Sequence, residues 1–236
     1  MSTKEFLLAW EELSPIQKKA AEWNESPLLV LAGPGSGKTK VLTCRIARIL
    51  DSTPNENFRI LGLTFTNKAA DEMRSRVINF VPGQEGRIFL GTFHSFCADI
   101  LRQHGIHLNI NPNFQIYSQE IDLQAVLNDA VVEAKKAFNL VNDFDKKTLP
   151  VIQRLKSLLI PPENCREVFR DKELAERMAY IYPAYETELS KRNALDFNSL
   201  IFKANQLFEK FPVFIQRYQT VYPYICIDEF QDTNKA

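Results

Sequence analysis

Glycine is scarce in this chain, at 8 of 236 residues, so any clustering of it demands a reason. Cysteine is sparse as well. Cys44, Cys97, Cys165 and Cys226 are scattered without a C-x-x-C pair and lie mostly in apolar surroundings, which reads as buried thiols rather than a disulfide framework or a zinc site. The three histidines, His94, His104 and His107, stand at no metal-site spacing from any cysteine pair. Neither sign of charge prevails, with 29 basic and 29 acidic side chains. That excludes a global field drawing in polyanions, although single strands can still be held by local grooves and stacking. Every apolar run falls short of the roughly 20 residues that span a bilayer, and the opening "MSTKEFLLAWEEL" lacks the basic-then-apolar layout of a secretory leader. The expectation is a cytoplasmic protein with no membrane partner. With 45% hydrophobic residues, the chain can bury the core of one large domain or two modest ones.

Short apolar runs at 28–32, 60–65, 88–90 and 224–227 have the length and flanks of buried strands. Between the first three lie helical stripes: Leu42, Ile46, Ile49 and Leu50, then Ala69, Met73, Val77 and Phe80. Strands alternating with helices predict an α/β fold, a doubly wound parallel sheet with helices on both faces. From Gly105 to Asn193 the pattern turns helical, with stripes through Leu123, Leu127, Ala130, Val131 and Ala134, through Val151, Leu155, Leu158 and Leu159, and through Leu174, Met178 and Ile181. Pro161, Pro162 and Pro183 punctuate them. An all-helical insertion interrupting the sheet before its last strand at Tyr224 fits this order.

Three of the few glycines fall inside five positions of "LAGPGSGKTK", residues 31–40. Behind an apolar run and ahead of a helix, the string fits a phosphate-binding loop whose amides, residues 33–38, wrap a β-phosphate at a helix N-terminus. Lys38 would neutralise the β- and γ-phosphates, and the Thr39 hydroxyl would ligate Mg²⁺. The strict pattern begins with glycine, where this chain has Ala32. A phosphate loop needs an acidic partner. "YICIDEFQD" supplies one: Asp228 to hold Mg²⁺ through water and Glu229 to orient and deprotonate an attacking water. In "LSPIQ", residues 13–17, Ser14, Pro15 and Gln17 form a capping box that by itself accounts for the serine and the glutamine; the Gln17 amide can equally pair with an adenine edge. Two loops at strand ends, "TFTNKAA" from Thr64 and "GTFHSF" from Gly91, combine hydroxyls with aromatics. Phe65 and His94 can stack on bases while Thr64, Thr66, Asn67 and Ser95 bond phosphates, or the aromatics can simply be core.

Taken in order, "LSPIQ", "AGPGSGKT", "LTFTNKAADEM", "GTFHSF", "ALDFNSLI" and "ICIDEFQDTN" resemble the N-terminal half of the UvrD/Rep/PcrA-like superfamily 1 DNA helicases, over nearly the whole chain. The resemblance implies a RecA-like P-loop NTPase subdomain 1A at 1–104 and 194–236, interrupted by helical subdomain 1B at 105–193. It implies ATP and Mg²⁺ as cofactors, with Gln17, Ala32, Gly33, Pro34, Gly35, Ser36, Gly37, Lys38, Thr39 and Lys40 around the nucleotide, and Thr39 and Asp228 on the metal. Lys38, Asp228, Glu229 and Gln231 would carry catalysis, Gln231 linking nucleotide state to DNA. Thr64, Phe65, Thr66, Asn67, Phe93, His94 and Ser95 would meet single-stranded DNA, with single-strand/double-strand junctions and repair or recombination proteins as further partners. Three positions depart from the pattern: Lys40 stands where arginine is usual, Cys44 where histidine is frequent, and Phe230 where tyrosine is common. An arginine retains a planar fork that Lys40 lacks.

The resemblance further implies 3′ to 5′ translocation and a second RecA-like domain that supplies arginines to the γ-phosphate. The chain halts just past its acidic strand, so the expectation is part of a larger motor, able to bind ATP and single strands but not to unwind. A non-catalytic nucleotide- and DNA-binding module of a repair complex is the alternative. A small-molecule kinase fits less well, because "TFTNKAADEM" occupies the place of a substrate lid.

Overall fold

The computed structural model describes residues 2–138 and 148–233. In chain order it comprises α1 (Lys4–Glu11), α2 (Pro15–Glu22), α3 (Lys38–Ser52), β1 (Ile60–Thr64), α4 (Asn67–Phe80), β2 (Ile88–Thr92), α5 (Phe93–His104), β3 (Gln115–Tyr117), α6 (Glu120–Phe138), α7 (Thr148–Ser157), α8 (Lys172–Lys191), β4 (Ala194–Asp196), α9 (Phe197–Lys210), α10 (Pro212–Val221) and β5 (Tyr224–Ile227). The contacts divide it into two compact units, residues 1–93 with 213–232 and residues 94–212.

The first unit holds a parallel sheet in the order β2-β1-β5, and the fold is α/β as the alternating pattern predicts. β1 is buried along its whole length, as an inner parallel strand must be. Gly62 sits at its middle, in register with Leu90 of β2 and Cys226 of β5. Ile46, Ile49 and Leu50 of α3 and Met73 and Val77 of α4 pack with Ile60, Ile88, Leu90 and Cys226 into one core. The stripes foreseen for these helices therefore form their buried faces, although on α4 it is Ala70, not Ala69, that is fully covered. α1 adds Phe6, which stands against Trp10 and Phe80.

One expectation fails here. Residues 28–32 form no strand, and Leu28, Leu29, Val30 and Leu31 are exposed, Leu31 by 86%. A strand needs a neighbour to take its amides and carbonyls. β5 bonds to β1 on one side and to no described strand on the other; that edge stands open, and residues 28–32 do not pair with it.

The second unit is helical around two small clusters. Leu123, Val126, Leu127, Ala130 and Ala134 of α6 pack with Leu149, Ile152 and Leu155 of α7 and with Met178, Ile181, Tyr182, Tyr185 and Leu189 of α8. The second cluster joins Ala98 and Leu101 of α5 to Phe114, Leu195 and Leu200. Two three-residue strands, β3 and β4, pair in parallel; a run that short leaves no periodicity to read. Pro161 and Pro162 do end one helical stretch and open a 3₁₀ turn over Pro162–Val168. Pro183 lies inside α8 instead of ending it. A proline there removes one backbone bond, and the buried residues on both sides of it, Met178, Ile181, Tyr185 and Leu189, hold the helix together. Cys44, Cys165 and Cys226 are buried free thiols and Cys97 is half-buried; burial pushes the Cys97 thiol up to about 12. No helix among the described residues is long and apolar enough to cross a membrane.

Candidate nucleotide site and nucleic-acid face

α3 begins directly after the glycine-rich loop, and its N-cap, Gly37, offers no side chain to the first-turn amides. Gly37 and Gly35 take φ of 80° and 73°, left-handed values that a side chain would resist. The helix therefore opens with uncapped N–H groups and the positive end of its dipole, an arrangement suited to an anion. Within the loop, the Ser36 hydroxyl donates to the Gly33 carbonyl at 2.7 Å, and Lys38 Nζ donates to the carbonyls of Ala32 and Gly33 at 3.3 and 3.2 Å. Pro34 and Gly35 form the turn between them.

β5 delivers the acidic pair. The Asp228 amide donates to the Leu63 carbonyl at 2.8 Å, extending the ladder by one residue, and the Asp228 side chain is buried. The Thr39 hydroxyl donates to Asp228 Oδ2 at 3.3 Å. This contact ties the first turn of α3 to the end of β5 across 189 residues of chain. Glu229 follows with φ of 53°, a left-handed conformation unusual for glutamate. Its amide donates to Asp228 Oδ1, and its carboxylate accepts the Gln231 amide at 2.5 Å. The turn Phe230–Asp232 that brings Gln231 back is closed by the Asp232 amide on the Glu229 carbonyl at 3.0 Å.

Gln17 does two things at once. Its Oε1 accepts the Ser14 amide at 2.8 Å while its own amide N–H donates to Ser14 Oγ, completing the capping box of α2. Its Nε2 donates to the Ser36 carbonyl at 2.9 Å, joining that cap to the glycine loop. Lys40 pairs with Glu12 at 2.5 Å, and the hydrogen bond and charge of Lys40 hold the Glu12 carboxyl below its usual range. Sequence reasoning did not foresee Glu12 as a partner; nothing local in "WEEL" marks it.

Along the carboxyl edge of the sheet, Thr64 ends β1 in register with Thr92 of β2. Thr64 is buried, whereas Phe65 beyond it is 62% exposed. Thr66 caps α4, its hydroxyl accepting the Ala69 amide at 3.1 Å, and exposed Asn67 starts that helix. Phe93 is half-buried and begins α5. His94 and Ser95 belong to the second unit. There the His94 ring stands edge-on to Phe197 at 5.0 Å and 75°, and burial pushes its pKa down. Phe197 lies in a motif, "ALDFNSLI", to which the sequence reading attached no role. The first unit thus holds two bonded sets, Gln17 and Lys38 on the glycine loop and Thr39, Asp228, Glu229 and Gln231 at the end of β5, joined through the chain at Lys38 and Thr39. Among the described residues no group of three or more His, Cys, Asp or Glu could hold a metal ion by itself.

Residues 13–236 match the family model described as the UvrD/REP helicase N-terminal domain. The chain is 39% identical over 224 residues, 93% of its length, to the ATP-dependent DNA helicase PcrA of Staphylococcus epidermidis. The PcrA protein of Staphylococcus aureus matches equally, at 39% over the same span. The chain covers 30% of the length of each of these relatives. On the strength of a match that takes in the glycine loop, the acidic strand and everything between them, the chain belongs to the UvrD/Rep helicase family, whose N-terminal domain it carries.

Proposed function

We propose that this chain is the ATP-binding N-terminal part of an ATP-dependent DNA helicase that moves 3′ to 5′ on single-stranded DNA in repair, replication or recombination. The observation that carries the reading is the 3.3 Å contact of Thr39 with Asp228, beside the uncapped start of α3. A hydroxyl and a carboxylate are hard oxygen donors of the kind Mg²⁺ takes, and here they adjoin an anion cradle. When bound, the metal supplies charge neutralisation at the β- and γ-phosphate oxygens.

The protein's own groups do the rest. Lys38 exchanges the carbonyls of Ala32 and Gly33 for phosphate oxygens, the amides of Gly33, Pro34's neighbour Gly35, Ser36 and Gly37 line the phosphates, and Lys40 lies at the rim. Gln17 turns its amide to the adenine edge. Glu229 accepts the proton of the attacking water, and Gln231, which already bonds it, orients that carboxylate. Thr64, Phe65, Thr66 and Asn67, with Phe93, His94 and Ser95, meet the single strand by stacking and phosphate bonds. The residues 1–104 with 194–236 act as subdomain 1A and 105–193 as 1B. A second RecA-like domain, junction DNA and repair or recombination proteins are its partners, in the cytoplasm.

The test is nucleotide binding and turnover by the chain, its Lys38→Ala variant and its Glu229→Gln variant, each with and without a single-stranded oligonucleotide. The chain should bind Mg·ATP. Lys38→Ala should weaken that about 10- to 100-fold, the loss of a charge-assisted bond. Turnover should stay slow in all three, since the arginines of a second domain contribute orders of magnitude. Unchanged affinity in Lys38→Ala would overturn the site. Fast turnover abolished by Glu229→Gln would overturn the view that a second domain is needed.

A further inference from the structure

Lys156 is the most buried charge among the described residues, with a fully covered side chain in the second unit. Its Nζ faces three oxygens: it donates to Asp196 Oδ2 at 2.7 Å and to Ser199 Oγ at 2.7 Å, and it forms an ion pair with Glu186 at 2.6 Å. It also lies 4.8 Å over the Tyr185 ring. Asp196 Oδ2 accepts the Tyr185 hydroxyl as well, at 3.1 Å, while Oδ1 accepts the Ser199 amide at 2.6 Å and so caps α9. Lys203 closes the set on Glu186 at 3.1 Å. Two cations and two carboxylates therefore balance in a site that joins α7, α8, β4 and α9, with Lys156 and Asp196 covered and Glu186 and Lys203 at its edge.

Such a cluster is weak evidence for stability, because apolar side chains of equal volume often serve as well or better. What it does supply is direction, since each bond has one geometry. Residue 198 is held to the same helix: Asn198 Nδ2 donates to the Gln153 carbonyl at 3.2 Å and to Ser157 Oγ at 2.8 Å. Residues 196, 198 and 199 are thus all fastened to α7. Between them stands Phe197, 43% exposed, whose ring meets His94.

We propose that Lys156 is a positioning residue for His94, acting through Asp196 and Ser199 to fix the start of α9 and with it the Phe197 ring on which His94 leans. Its importance for DNA rests on the reading above that His94 meets single-stranded bases; the geometry does not. An apolar residue at 156 would fill the volume but cut residues 196 and 199 from α7, leaving the first turn of α9 held to that helix by Asn198 alone, and the Phe197 ring and His94 would lose their set orientation.

The chain has three histidines, so its imidazole NMR signals separate the question. Phe197→Leu marks where the His94 signal goes once the aromatic ring beside it is gone. In Lys156→Met, His94 should move most of the way to that position, with His104 where it is in the unaltered chain; His107 leans on Phe211 at the end of α9 and follows that helix. The affinity for a thymidine oligonucleotide should fall about three- to tenfold, part of the stacking contribution of one base. Because Lys156→Met leaves two carboxylates buried, a second variant, Lys156→Met with Asp196→Asn, removes one charge of each sign, leaves Glu186 paired with Lys203, and should give the same displacement. An unmoved His94 in either folded variant overturns the proposal, as does an equal movement of His104, which would denote general loosening. If instead the oligonucleotide leaves the His94 signal of the unaltered chain untouched, the DNA reading of His94 fails, while displacement in Lys156→Met still establishes the positioning.

Discussion

Substituting alanine for Gly62 tests how closely β1 and β2 are packed beneath the candidate site. A Cβ at position 62 falls 2.1 Å from Leu90 Cδ2 and 3.5 Å from Leu90 Cγ, with Ile46 Cδ1 at 3.7 Å. Carbon atoms settle at about 3.5–4.0 Å, so the new methyl would overlap Leu90 deeply. Leu90 is 1% exposed and Ile46 is fully covered, which leaves Leu90 no route towards water; it must leave its rotamer, or the strands must part. Overpacking of this kind costs about 1–3 kcal/mol. Both tryptophans, Trp10 and Trp23, lie in the first unit, so their fluorescence in urea follows the unfolding of the unit in question. With a slope of about 2 kcal/mol per M, the midpoint should drop by about 0.5–1.5 M. Leu90→Ala alone opens a cavity and should cost about 2–5 kcal/mol. In the double variant the methyl at 62 enters the space that Leu90 vacates, so the two costs should fall short of their sum by about 1 kcal/mol or more. Additivity within about 0.5 kcal/mol would refute the close contact.

The buried network of the second unit should show in the pH dependence of its stability. Burial alone would raise the carboxyls of Asp196 and Glu186, but Lys156 holds both below their ordinary values of 3.8 and 4.5. Their contribution is present above those values and lost as pH falls through the lower folded ones. Burial alone would lower Lys156, but Glu186 and Asp196 hold it above 10.5, so its share is present below that pH and lost as pH rises through the folded value. Circular dichroism melts of the chain should therefore lose more stability below pH 4 and above pH 10.5 than those of the variant Lys156→Met with Asp196→Asn, and parallel curves would contradict the ion pairs. At the capping box, Ser14→Ala should cost the first unit about 1 kcal/mol with little change in nucleotide affinity. Gln17→Ala should also weaken nucleotide binding, because it removes the tie to Ser36; calorimetric titration of ATP distinguishes the two.

What was legible in the sequence was local or periodic. Gly35 and Gly37 announce their positive φ by residue type, and the stripes of α3, α4, α6 and α8 face the cores because apolar spacing encodes a face. Pairing is not local, which is why "LLVLA" has the composition of a strand and no partner, and why β3 and β4, at three residues each, escaped notice. Pro183 is hard to read for a related reason: the contacts that carry α8 through it come from distant residues. Lys156 carried a signal that was passed over. It lies four residues after Ile152 and next to Leu155, on the buried stripe of α7, where a lysine needs acidic company. Its partners are 30 and 40 residues away, out of reach of any pattern in a single helix. Gln17 shows the converse, since its capping role was plain from "LSPIQ" and its bond to Ser36 was not.

Among the described strands β5 has a neighbour on one side only, with a practical consequence for handling the protein. Ile225 is 61% exposed and Phe230 53% exposed, in the same unit as the bare Leu28–Leu31 run. A strand edge with no described neighbour, next to uncovered aliphatic side chains, invites edge-to-edge association between copies. Ile225→Lys, a gatekeeper charge on that edge, should therefore raise the concentration at which the chain stays in solution.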